Sequence, residues 1–350
     1  MENLYDTLVF IGRFQPFHQG HLSVIRAALK KTRRLIVLVG SANLARSPRN
    51  PFTFDERADQ IGRVLDDIGE RARVSILPIA DAPYNDAEWI ARVQKAVGQA
   101  TKPGDRIGLV GHSKDHSSYY LKLFPTWGAV DVAERHAMIN ATQIREDYLR
   151  PAARLPGAHV CPETVIHFLE QFTLTEAFAW LVEEARFYAD YRARWANAPY
   201  PPFIACVDAV VVQSGHILLV ERAHAPGKGL LALPGGHVNP KESFRAAAIR
   251  ELKEETRIND GKGEIPPAML SSFIEDSKTR LFDDPHRSER GRVVTQAYLF
   301  SIPARKALFE VRGDDDAAAA RWFPLGSLKA SDLFEDHAAI IEEMTGAALD

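Results

Sequence analysis

Residues 9–21 read V-F-I-G-R-F-Q-P-F-H-Q-G-H, and they decide the fold of the first half of the chain. The apolar run 8–11 suits a buried parallel strand, and Gly12 lets the backbone turn tightly before Arg13. Pro16 blocks further strand pairing; His18, Gly20 and His21 then lead into the helical spacing of Leu22, Ile25 and Leu29. A helix starting there points N–H groups and the positive end of its dipole at whatever lies above it. The two imidazoles add hydrogen-bond donors and Gly20 allows close backbone approach, so the turn suits a phosphate-rich ligand. A His-x-Gly-His by itself carries little; the flanking strand, helix and Arg13 carry the argument.

Outward from this turn, apolar runs at 8–11, 35–39, 74–79, 107–110 and 129–132 alternate with helical patterns such as 57–68 and 88–97. That alternation predicts an α/β fold with a parallel, helix-covered sheet, whose ligands sit beyond the carboxyl ends of the strands. Thr142 and Arg145, three apart at a predicted helix start, place a hydroxyl and a guanidinium where the helix dipole also favours anions. After the third strand comes D-A-P-Y-N-D-A-E-W, residues 81–89, in which Trp89 offers either a flat stacking face or a buried helix anchor.

The 350 residues, 46% hydrophobic and 25% charged, fit two soluble domains. A formal net charge of −3 leaves no global basic field, so nucleic acid is not an expected partner and anion binding is local. Cys161 and Cys206 cannot build a disulfide framework or a cysteine zinc site, which fits a reducing cytoplasm. No uncharged apolar run reaches the length of a membrane span, and the N-terminus enters the first strand without a signal-peptide pattern. Residues 173–202 read as a helical linker with an aromatic stripe (Phe178, Trp180, Phe187, Tyr188, Tyr191), expected to pack one domain against the other and broken by P-Y-P-P at 199–202.

The second half carries another strong signal, G-H-V-N-P-K-E-S-F-R-A-A-A-I-R-E-L-K-E-E-T-R-I, from Gly236. Ser243 is a plausible N-cap, and on the helix after it Glu251 lies three and four residues from Glu254 and Glu255. The spacing predicts three carboxylates converging on one face, an oxygen-rich set for Mg²⁺ or Mn²⁺ bridging a diphosphate and activating water. Glu242 and Arg250 are placed to pair and brace the preceding loop.

Residues 9–21 resemble the nucleotidyltransferases with an (H/T)-x-G-H signature, and specifically the archaeal-type nicotinamide mononucleotide (NMN) adenylyltransferases. The segments N-P-F-T-F-D-E-R (50–57) and I-N-A-T-Q-I-R (139–145) are similar to two further motifs of that family, with Asn140 where Ser is usual. The resemblance implies a Rossmann-like domain that transfers adenylyl from ATP to NMN, forming NAD⁺ and pyrophosphate. It implies ATP contacts from Gly12, Arg13, Phe14, His18, His21, Gly111, Asn140, Thr142 and Arg145, with Arg13, His18, His21 and Arg145 stabilising charge at the reacting phosphate. His112 and Lys114 belong to a segment resembling the nucleotide-side loop. On the NMN side it implies Asn43, Arg57, Asp81, Asn85 and Trp89.

From Gly236 the chain resembles the Nudix box, with Arg257 at a position where Gly usually ends the helix. The implied fold is an α/β/α sandwich; the implied metal ligands are the Gly235 carbonyl, Glu251, Glu254 and Glu255, with Glu251 and Glu254 catalytic. Fusion of the two resembles bifunctional bacterial enzymes that also hydrolyse ADP-ribose to AMP and ribose 5-phosphate. Expected boundaries are 1–172, 173–202 and 203–350. Residues 275–292 are expected to form a mobile loop over the second site, with Glu275, Asp283, Asp284 and Glu289 as open choices for an extra ligand or base. Two alternatives stay open: a pantetheine-phosphate or FMN adenylyltransferase, and a non-catalytic nucleotide sensor. Homo-oligomerisation is also left open.

Overall fold

The apolar runs of the first half become parallel strands in a computed structural model, which describes residues 4–111, 123–132 and 139–349. The chain divides into two units, Met1–Ala185 and Arg186–Asp350. In the first, β1 (Tyr5–Gly12), β2 (Thr32–Val39), β3 (Val74–Pro78), β4 (Ile107–Gly111) and β5 (Gly128–Asp131) form a five-stranded parallel sheet in the order β3-β2-β1-β4-β5. Burial on both faces explains the unbroken apolar runs. Leu8 and Phe10 pack with α1 (Gln19–Leu29), α2 (Phe54–Asp67) and α5 (Glu163–Phe172), while Val9 and Leu109 pack with α3 (Asp86–Ala100). The strand order reverses between β1 and β4, the position at which such sheets open a crevice beyond their carboxyl ends.

Helix α2 begins earlier than the periodicity predicts, because Thr53 and Glu56 close a reciprocal capping box. Asn85 caps α3 by accepting from the Glu88 N–H at 3.1 Å, and Asn140 caps α4 (Ala141–Tyr148) by accepting from the Thr142 N–H at 2.9 Å. Helix α6 (Glu176–Ala193) contains the division between the units: Phe178 and Leu181 are buried in the first core, whereas Tyr191 packs with Ile204, Cys206 and Val293 of the second.

In the second unit, β6 (Phe203–Gln213) and β7 (His216–Arg222) form a hairpin through Ser214 and Gly215, both at positive φ, as a two-residue turn between right-twisted strands requires. The mixed sheet runs β10-β11-β6-β7-β12, from β10 (Ile274–Phe282), β11 (Arg292–Ile302) and β12 (Ala317–Pro324). The short β8 (Leu231–Ala232) and β9 (Gly235–His237) pair with β7 and β6. Helix α7 (Phe244–Thr256) buries Ala247, Ala248 and Leu252 against Val207, Ala209 and Val211; α8 (Pro267–Ser272) follows it, and α9 (His337–Thr345) lies against β10 and β11. No helix of the described residues is long and apolar enough to cross a membrane.

Candidate active sites

The first site is built where β1, β2 and β3 end. Phe14 turns back at a φ of 55°, and its ring lies so close to Gly12 that a Cβ there would stand 2.9 Å from it. Buried Phe14 and Phe17 then flank His21, with ring centroids 4.7 and 5.5 Å away. His18 is the N-cap residue of α1; its N–H donates to His21 Nδ1 at 3.2 Å and the two rings stack 3.6 Å apart. The expected pair of imidazoles is therefore a stacked unit at a helix N-terminus, an arrangement able to receive anionic oxygen. Arg13 is exposed beside it.

Arg145 is 93% buried, and Nη1 donates to the Gln15 carbonyl at 2.8 Å while Nη2 donates to Thr142 Oγ1 at 3.2 Å. It thus joins the two phosphate-side motifs across 130 residues. Gly111 ends β4 opposite Asp131 of β5. His112 and Lys114 lie outside the described residues.

Arg57 requires a correction. Expected beside the nicotinamide nucleotide, it is 1% exposed and donates to the carbonyls of Arg13 (2.7 Å), Gly40 (2.7 Å), Ser41 (3.1 Å) and Thr53 (3.1 Å). Burial lowers its pKa to about 10 without approaching neutrality. It ties the loops after β1 and β2 to the start of α2, and its donors are spent on backbone. Asp81 likewise ties strand ends together, accepting from the Ser41 N–H at 3.1 Å and from Ser41 Oγ at 2.6 Å. Asn85 is exposed and serves as the α3 cap, and Asn43 Oδ1 is buried with no partner among the described residues. Trp89 is half-buried against Phe124, at 6.2 Å, in the core shared with Val93.

Two ties escaped the sequence reading. Gln15 pairs by its side chain with the Phe52 backbone in both directions, at 2.8 and 3.0 Å. Arg46 grips Glu56 with both Nη atoms at 2.6 and 2.8 Å, fixing the N-P-F-T loop. The T-x-x-E spacing of Thr53 and Glu56 was the available signal for the second; nothing local marks the first.

The second site is organised by one helix. Ser243 caps α7, as its position predicts, and Arg250 donates to Glu242 at 2.6 and 3.0 Å, the expected brace. Arg250 Nη1 also reaches Glu251 (2.8 Å) and Glu254 (2.9 Å), so one guanidinium faces three carboxylates. Glu242 is held down at about 2, chiefly by its bonds from Arg250. The Glu251 carboxylate lies where a Cβ on Gly236 would be, 2.5 Å from that position, which explains the glycine. Glu255 turns the other way, accepting from the Gly235 N–H at 3.0 Å, and burial pushes its pKa up to about 8.

The expected convergence of three carboxylates is met by the helix face but not by the side chains. Among the described residues no three His, Cys, Asp or Glu groups form a metal-holding cluster, because Arg250 takes up Glu251 and Glu254 while Glu255 faces β9. The donor set nevertheless fits a hard divalent cation: three carboxylates and the Gly235 carbonyl, all oxygen donors, with Glu254 45% exposed. Arg257 answers the departure from the box, taking the left-handed conformation (φ 41°, ψ 38°) that glycine usually supplies there.

The expected mobile loop is also corrected. Strands β10 and β11 extend to Phe282 and from Arg292, and between them Arg287 and Ser288 are buried. Arg287 donates to both Asp336 oxygens at 2.8 and 2.9 Å, and Arg290 reaches Glu335 at 3.2 Å, so the segment is pinned. Glu275 accepts from Ser301, Asp284 caps the turn at His286, and the Asp283 and Glu289 carbonyls accept from Arg292 and Arg192.

Residues 9–147 match the cytidylyltransferase-like family and residues 202–344 the NUDIX domain. A nicotinamide/nicotinic acid mononucleotide adenylyltransferase of Acinetobacter baylyi is 39% identical over 182 residues, covering 52% of this chain and 94% of that protein. A crystal structure of a bifunctional NMN adenylyltransferase/ADP ribose pyrophosphatase from Francisella tularensis matches with a TM-score of 0.90 at 35% identity, covering 97% of this chain and 98% of that one. The same protein complexed with AMP and a Mn ion matches at a TM-score of 0.88 and 34% identity over the same shares of the two chains. With both units in the same order and nearly the full length matched, the chain belongs to the family of bifunctional NMN adenylyltransferase/ADP-ribose pyrophosphatases.

Proposed function

We propose that this chain makes and breaks dinucleotide pyrophosphate bonds at separate sites: adenylyl transfer from ATP to NMN in residues 1–172, and hydrolysis of ADP-ribose to AMP and ribose 5-phosphate in residues 203–350, with 173–202 connecting them. The observation that carries the first assignment is the stacked His18–His21 pair on a helix N-terminus, tied through Gln15 to Arg145. The NMN phosphate attacks the α-phosphate of ATP in line and pyrophosphate leaves, with no covalent enzyme intermediate. Arg13, His18, His21 and Arg145 neutralise the charge that builds on the transferred group, with Gly12, Phe14, Gly111, Asn140 and Thr142 shaping the ATP side. Asp81, Asn43, Asn85 and Trp89 line the nicotinamide side, and Arg57 holds their loops.

In the second site Glu251, Glu254, Glu255 and the Gly235 carbonyl would hold Mg²⁺ or Mn²⁺, which would supply a positive charge for the diphosphate and a lowered pKa for water. Arg250 and Glu242 keep the glycine loop against α7. The reducing setting read from the cysteines makes the cytoplasm the proposed location.

The test is product identification after incubation with ATP, Mg²⁺ and NMN, nicotinate mononucleotide or FMN, and separately with nucleoside diphosphate derivatives. NAD⁺ formation together with AMP release from ADP-ribose is the expected result. Transfer to FMN alone, or binding of ADP-ribose without hydrolysis, would overturn it.

A further inference from the structure

Beneath the glycine turn of the second unit lies a set of buried charges that none of the roles above uses. Asp208 of β6 is the register partner of Gly235, and Oδ1 sits 2.7 Å from where a Gly235 Cβ would be. Arg287, its side chain 3% exposed, clasps Asp336 with two bonds and approaches Asp208 Oδ2 at 4.0 Å. His337, next in sequence and 94% buried, accepts the Leu233 N–H on Nδ1 at 2.9 Å, while Nε2 lies 3.9 Å from Asp208 Oδ1. Leu233 and Gly235 bracket Pro234 at the entrance of the turn, and the Gly235 N–H in turn holds Glu255.

Burying several charges is costly unless they are paired, and an apolar cluster would fill the same space more cheaply. What these groups provide is direction. The turn is held by the pairing of β6 with β9 at Asp208 and Gly235, by the Ala209 N–H donating to the Pro234 carbonyl at 2.8 Å, and by His337 under Leu233; Arg287 is the cation between Asp208 and Asp336.

We infer that Arg287, acting through Asp208 and the Asp336–His337 pair, is a positioning residue for the hydrolase, setting the height of the Gly235 backbone against Glu251 and Glu255. This rests on the proposed metal-dependent hydrolysis. Residues that hold metal ligands in place change metal affinity or activity by about 10- to 100-fold when altered; Asp208, the register partner of Gly235, is one step from a proposed ligand and Arg287 is two.

The experiment uses the full chain carrying Arg287→Lys, which keeps the charge and loses the fork, and Asp208→Asn, which keeps the shape and loses the charge. Mn²⁺ affinity is measured by electron paramagnetic resonance without substrate, alongside ADP-ribose hydrolysis, adenylyl transfer and thermal unfolding. The expected result is Mn²⁺ binding weakened about 10- to 100-fold in each folded variant, with adenylyl transfer unchanged. Wild-type affinity for Mn²⁺ in both folded variants overturns the inference, including when their melting temperatures fall, because the network then only supports the fold. A wild-type chain that neither binds Mn²⁺ nor hydrolyses ADP-ribose instead overturns the reading on which the inference rests.

Discussion

The two units manage charge in opposite ways. The first gathers imidazoles at a helix N-terminus, with Arg145 beside them, and holds its loops with buried arginine ties to distant carbonyls. The second collects carboxylates for a cation along one helix, balanced in this structure by Arg250. An anion site made of loop ends depends on ties between strands, whereas a carboxylate site made of successive helical turns carries its geometry in its spacing. Each site is therefore vulnerable in its own place, the first through the ties beneath its loops, the second through the helix and the turn packed on it.

The largest expected effects break the pair apart. Replacing Glu254 with Gln removes a proposed metal ligand and should cost several kcal/mol of transition-state stabilisation, about 10³-fold in ADP-ribose hydrolysis, with adenylyl transfer preserved. His21→Ala should do the reverse, lowering NAD⁺ formation about 10²- to 10³-fold while hydrolysis persists. Both activities are assayed on one preparation. Loss of both from His21→Ala, in a folded chain, would show that the sites are not independent.

A smaller effect tests the ties. Arg57→Met should leave the carbonyls of Arg13, Gly40 and Ser41 without their guanidinium donors in a closed space, while Thr53 keeps the backbone N–H of residue 57. The loss is about 3 kcal/mol, or roughly 10 °C in the melting of the first unit. Calorimetry that finds the first transition unmoved would reject the tie; a shift in the second transition instead would contradict separate units.

Parallel strands, the glycine turn, the histidine pair and the Glu242–Arg250 brace were readable in the sequence because each rests on local periodicity or on spacing within a few residues. Arg57 was misread because its burial is a tertiary fact: its carbonyl partners at Arg13 and Gly40 lie 44 and 17 residues away. Residues 275–292 looked mobile because they are charged. Their arginines instead meet Glu335 and Asp336, supplied from more than 40 residues downstream.

Proton linkage sharpens the carboxylate half. Glu255 keeps its proton to about pH 8 in the folded chain, because of burial, against an ordinary value of 4.5. Between these values the folded state binds more protons, so its contribution to stability is full below 4.5 and is lost as pH rises through 8. Buried His337, lowered to about 3 from 6.5 by desolvation, acts in the opposite direction, but only below about pH 6.5. With chelator present, the melting temperature of the second unit should therefore fall from about pH 6.5 to 8. Glu255→Gln should flatten that slope, as should saturating Mn²⁺; an unchanged slope in Glu255→Gln assigns the proton elsewhere.

The smallest effect concerns the residue at which the second site departs from its family. Arg257 occupies a left-handed conformation that costs a residue with a Cβ about 1 kcal/mol relative to glycine. Its ion pair with Asp314, at 2.6 Å and with side chains 44% and 40% exposed, is screened by water and returns little of that cost. Glycine also gives up more freedom on folding, which removes part of the gain. Arg257→Gly should therefore stabilise the second unit by about 0.5 kcal/mol, a rise of roughly 1–2 °C. Arg257→Ala, which keeps the strain and loses the pair, should lower it. Equal melting temperatures for these two variants would mean that the left-handed cap stores no strain, and that a helix end, unlike a helix face, tolerates departure from its expected residue at no cost.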